Sequence, residues 1–136
     1  MARLKSDFGA EGWTELRCET PSSVWLENMS NGRFKTHSLP VQAQFAPINS
    51  IVATKIDGVV SLILAGNEYQ TESNTGRYDA SYGLVLKGDG KGNFLPVDPA
   101  HSGLVLDGDI RDMKIIGAKL LLVAPNDSKL KTFQLQ

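Results

Sequence analysis

This 136-residue chain has one cysteine, two histidines and no long apolar run. Cys18 has no partner, so no disulfide can form within the chain; it reads as a small half-buried residue rather than a reactive thiol. His37 and His101 lack a second histidine at helical spacing and a nearby cysteine, which excludes the usual zinc patterns. The longest apolar stretches, Val59–Ala65 and Leu120–Ala124, are far too short to span a bilayer. Basic residues are scattered and the net charge is −1. Nucleic acid and anionic membrane surfaces both call for a clustered basic face, so neither is expected as a partner. No window shows the three-and-four apolar spacing of an amphipathic helix. There is no nucleophile elbow, no phosphate-binding loop and no nucleophile set beside a general base. These absences argue against an enzyme and against a cofactor.

What is present is glycine, 13 residues of it, between short runs of alternating or continuous apolar residues. That is the pattern of an all-β protein. Residues 1–13 carry both charge signs without periodicity and read as a loose leader, with no apolar core of a secretory signal. Residues 14–136 read as one domain. Ten strands are expected: a weak one at Thr14–Glu19, then Ser22–Asn28, Arg33–Ser38, Asn49–Ile56, Val59–Gly66, Tyr82–Lys87, Asn93–Val97, Asp109–Ile116, Lys119–Ala124 and Leu130–Leu135. Asn31-Gly32, Asp57-Gly58, Gly88–Gly92 and Asn126-Asp127 are the expected turns, because asparagine, aspartate and glycine tolerate the left-handed backbone that tight hairpins require.

The order of elements repeats. The turn-plus-aromatic that ends at Phe34 returns at Phe94, and the inner apolar strand that begins near Ile51 returns near Met113, at almost the same offset. A fixed period of four-stranded units is the mark of β-propeller blades.

Six stretches, SSVWLENMSNGRFKTHSLP, AQFAPI, LILAGNEY, GRYDASYGLVLKGDGKGNF, GDIRDM and LLLVAPND, extend the pattern over most of Ser22–Phe133. As a set, the sequence resembles the FG-GAP/VCBS-repeat β-propellers, in particular the C-terminal blades of exported bacterial proteins of the ASPIC/UnbV type. The resemblance implies an all-β fold of propeller-like, four-stranded antiparallel blades. This chain would hold about two to two and a half of them, a partial propeller. It also implies an exported parent protein, although the sequence itself does not define a compartment. Repeats of this family often carry a calcium loop of spaced acids. Here the matching positions hold Ala53, Lys55, Asp57-Gly58 and Ser61, so one carboxylate remains and a lysine stands where another belongs. No metal is expected.

The best site candidate is the long polar stretch 67–81. It gathers Asn67, Glu68, Tyr69, Glu72, Arg77, Tyr78 and Asp79, groups able to hold a polar ligand such as a sugar; an Arg77–Asp79 pair is expected to order it. The function expected is a non-catalytic propeller-type binding or interaction module. One alternative is a small oligomeric carbohydrate-binding, lectin-like propeller, for which Trp25 and Tyr82 are the candidate matched aromatics. Another is a truncated fragment of a larger propeller without independent function. Two and a half blades cannot close a ring, so a homo-oligomer that completes its blades between subunits is the expected assembly.

Overall fold

The computed structural model describes residues 14, 16–117 and 119–135; the leader expected at 1–13 lies outside them. The protein is all-β. Nine strands form among the described residues: β1 (Val24–Asn28), β2 (Phe34–Ser38), β3 (Ile48–Ile56), β4 (Val59–Gly66), β5 (Leu84–Gly88), β6 (Phe94–Val97), β7 (Ile110–Ile116), β8 (Leu120–Pro125) and β9 (Lys131–Gln134). They match nine of the ten expected strands, with only small differences at the ends. The tenth is a correction: the described residues around Leu16–Cys18 are not strand. Cys18 is also exposed rather than half-buried. Among the described residues two helical turns interrupt the strands, a 3-10 turn at Val41–Gln44 and an α-turn at Pro99–Ser102.

The strands make three antiparallel sheets, each in simple up-and-down order: β1-β2, then β3-β4-β5-β6, then β7-β8-β9. They are open sheets. Their hairpins follow turn chemistry. Asp57 and Gly58 both have positive φ (52° and 78°) between Ile56 and Val59, the left-handed pair a two-residue hairpin needs. In the β1–β2 turn the left-handed residues are Ser30 and Gly32, not Asn31 as the sequence led us to expect.

Alternation along the strands sends the two faces of the central sheet to two different cores. Leu62, Leu64, Leu84, Leu86 and Phe94 pack with Trp25 of β1 and with Leu39 and Ala43 of the connection. Ile63, Ala65, Val85, Val52 and Val97 pack with Ile110, Met113, Leu121, Val123 and Phe133 of the third sheet. The central sheet is therefore covered on both faces over β4 and β5, whose near-continuous apolar runs reflect it. The side of β3 that faces sheet one, with Ile51, is exposed, which corrects the expectation that β3 is buried on both faces.

The repeat seen in the sequence has counterparts in backbone bonding. The Asn67 N–H donates to the Pro47 carbonyl (3.1 Å), and the Asn126 N–H donates to the Asp109 carbonyl (2.7 Å). Met29 N–H donates to Arg33 O (3.0 Å), and Asp89 N–H, at the matching place in the later turn, donates to Asn93 O (3.1 Å). The register of β3 slips between Ile48 and Ser50, and that of β7 slips between Ile110 and Asp112, the equivalent positions of the next sheet. Sheet one thus corresponds to β5–β6, and sheet three to β3–β5.

Candidate functional site

The polar stretch 67–81 is built around Asn67. This residue is 2% exposed and has a positive φ of 82°. Its side chain offsets that backbone: Nδ2 donates to Ser81 O (2.7 Å) and Gly108 O (2.9 Å), and Oδ1 accepts from Ser81 N–H (3.1 Å). Asn49 adds a second clamp, with Nδ2 donating to Asn67 O (2.9 Å) and Ile110 O (3.0 Å). Of the site candidates, Asn67 is thus a structural latch that joins the loop to the connection before β7.

Glu68 pairs with Tyr78 through two backbone bonds of 2.9 Å, which closes the loop on itself. Its carboxylate receives a two-pronged contact from Arg111, Nη1 to Oε2 at 3.0 Å and Nη2 to Oε1 at 2.9 Å. Arg111 Nη2 also reaches Asp109 Oδ2 at 2.7 Å. The hydrogen bond from Arg111 holds Glu68 below the usual carboxylate range, and Glu68 in turn raises Arg111. Asp109 is buried (3% exposed), and its second oxygen, Oδ1, has no hydrogen-bond partner. Tyr69 is half-buried; burial, and then the charge of Asp107, push its hydroxyl up.

Arg77 lies with its guanidinium 4.8 Å over the Tyr69 ring, a cation–π contact. Among the described residues no ion pair joins Arg77 to Asp79, so the arrangement that orders this loop is a different one from that expected. Glu72 accepts from Thr75 N–H (2.9 Å) in the loop's own turn. The structure therefore brings Glu68, Tyr69, Arg77 and Tyr78 together, leaves Tyr78, Arg77 and Asp79 exposed, and sets Glu72 in the turn beyond.

A second concavity was not singled out by sequence reasoning. Between the first sheet and the central one lies a cleft of about 460 Å³, lined by Trp25, Thr36, His37, Ser38, Leu39, Pro40, Gly92, Asn93 and Phe94. Trp25 stacks on its cross-strand partner His37, ring centres 4.3 Å apart and 9° from parallel. It meets Phe94 edge-on at 6.3 Å. His37 Nε2 is 2.8 Å from Glu27 Oε2, which fixes the imidazole. Gly92, at φ 91°, lets the backbone run under the indole: a Cβ there would stand 3.0 Å from the Trp25 ring. No signal in the sequence joins Trp25 to Phe94, the repeat counterpart of the turn aromatic Phe34; only the stacking of the two sheets brings them together. Register also corrects the aromatic match: Asn28 opposes Phe34 and Gly88 opposes Phe94, so Trp25 corresponds to Val85, not to Tyr82.

Asp57 and Asp89 serve local structure. Asp57 is paired with Lys87, which lowers its pKa, and Asp89 caps its own turn by accepting from Lys91 N–H (2.7 Å), Asn93 N–H (3.0 Å) and Asn93 Nδ2 (2.6 Å). Among the described residues no three His, Cys, Asp or Glu side chains are grouped to hold a metal ion, and no helix is long and apolar enough to cross a membrane. No family model, curated protein or solved structure matches the chain.

Proposed function

We propose that this chain is a non-catalytic binding module built on propeller-type repetition. The observation that supports it most is the repeated bonding: Asn67 to Pro47 and Asn126 to Asp109 perform the same closure in successive sheets. Sheets repeated face to face leave clefts between neighbours, and clefts between repeated sheets are where such architectures hold ligands. In this reading the three sheets are a partial propeller: the central one a four-stranded blade, the first and third incomplete ones. The resemblance to the FG-GAP/VCBS repeats points the same way.

A carbohydrate is the ligand class that the cleft fits. Sugars present apolar C–H faces that stack on aromatic rings and hydroxyls that pair with amides and hydroxyls. The cleft supplies the Trp25–His37 stack and Phe94 for the first, and Asn93 with the backbone of Thr36 and Ser38, whose side chains alternate to the other face of the sheet, for the second. The exposed Tyr78, Arg77 and Asp79 of the loop form a separate polar face. A glycan array probed with the wild type, Trp25→Ala and Arg77→Ala tests both. Binding lost in Trp25→Ala and kept in Arg77→Ala assigns the cleft; the converse assigns the loop. No binding by the wild type would sink the carbohydrate reading.

A further inference from the structure

Two apolar faces on the inner strands lie open, at opposite ends of the stack. On the side of the central sheet that faces sheet one, Ile51 is 55% and Val60 53% exposed. Leu62, beside Ala53 in the register, is only half-buried on that side. On the far side of the third sheet, Ile116 is 49% exposed, and Leu120, Leu122 and Ala124 are half-buried.

The repeat says what each face fits. Ile51 holds the place in β3 that Met113 holds in β7, and Met113 is 5% exposed because the central sheet lies in front of it. Leu122 holds the place in β8 that Ile63 holds in β4, and Ile63 is 2% exposed because the third sheet lies in front of it. Ile63 and Met113 share one core within the chain. Leu122 and Ile51 are therefore the two halves of that same contact, each without its partner among the described residues.

We infer that the partner is a second copy of this chain, docked head to tail, with the Leu122 face of one copy on the Ile51 face of the next. The contact joins two different surfaces, so each copy keeps one of each free and the association propagates until it closes into a ring. By the same correspondence β1 of one copy and β9 of the other hold the same third place in the joint sheet, so docking requires one of these two strands to leave it, and the open sheet edge is where the pairing is exchanged. The inference does not depend on what the Trp25 cleft binds.

Light scattering on the full chain tests it with two variants, Ile51→Lys and Leu122→Lys. The wild type should have a mass of two or more 14.8 kDa chains at micromolar concentration. Each variant alone should be a monomer with the wild-type circular dichroism spectrum. Mixed in equal amounts, the two should form a dimer, because the Leu122 face of one variant and the Ile51 face of the other are both intact. A monomeric wild type overturns the inference. So does an Ile51→Lys protein that keeps the wild-type mass, which points to like faces meeting like, or a mixture that stays monomeric. Should Leu122→Lys misfold, Ile116→Lys on the same face serves in its place.

Discussion

The hydroxyl of Ser50 accepts a hydrogen bond from the backbone N–H of Met113 at 2.9 Å and donates to Asp112 Oδ1 at 3.1 Å. This one side chain ties β3 to β7, the inner strands of two successive sheets. Ser50 is 7% exposed, so water reaches the joint poorly. Met113 N–H has an alternative acceptor in Asp112 Oδ1 at 2.8 Å. Ser50→Ala should therefore cost about 1–2 kcal/mol rather than more, since the amide is not fully orphaned. Urea denaturation checks this; an unchanged midpoint would show that the joint is not a stabilising contact.

Asn67 combines a left-handed backbone with three side-chain hydrogen bonds. Asn67→Ala loses the bonds and keeps a conformation that alanine resists, for a combined loss of about 3 kcal/mol. Asn67→Gly loses the bonds but relieves the backbone. Thermal unfolding should rank wild type above Asn67→Gly, and Asn67→Gly above Asn67→Ala. An equal loss in both variants would remove the backbone from the explanation.

Glu68, Asp57 and Asp89 all have pKa values lowered in the folded state. A lowered carboxylate adds stability that is complete above its unfolded value and is lost as pH falls through the folded one. With unfolded values of about 4.3 for Glu and about 3.9 for Asp, stability should hold near neutrality and decline from about pH 4 downward. Glu68→Gln should flatten part of that decline. These groups are largely at the surface, so high salt should weaken the effect as well. A variant whose stability falls with acid as steeply as the wild type would assign the decline to other groups.

Calcium should leave the melting temperature unchanged. Asp57, the one carboxylate kept from the spaced-acid loop, is already paired with Lys87. An ion bound only by the native state would raise the transition in proportion to its occupancy. A rise in millimolar calcium that Asp57→Ala abolishes would contradict this.

The strands were legible because their signals are local. The Asp57-Gly58 turn fixes the register of β3 on β4, and Gly66 and Pro125 close the apolar runs of β4 and β8. The repeat was legible too, since it rests on the order of these local signals. The weak alternation at Thr14–Glu19 misled, because alternation alone makes no strand without a sheet edge to pair with, and the described residues there have no strand partner. The cleft was not legible. Trp25, His37 and Phe94 converge only after two hairpins fold and their sheets stack, and nothing near Trp25 in the sequence marks that. In the loop, the polar residues suggested a site, yet Asn67 and Glu68 are engaged by Ser81, Gly108 and Arg111, partners that register and stacking bring close. The pairing of Arg77 with Tyr69 instead of Asp79 is a choice among near neighbours that spacing does not determine.

The most direct test of a carbohydrate-binding cleft is a proton–nitrogen correlation spectrum of the labelled protein, titrated with a panel of mono- and disaccharides. The account predicts that at least one sugar shifts the Trp25 indole N–H and the amides of Gly92, Asn93 and His37 together, with saturation. Shifts confined to residues 67–81, or none at the cleft with any sugar, would contradict it.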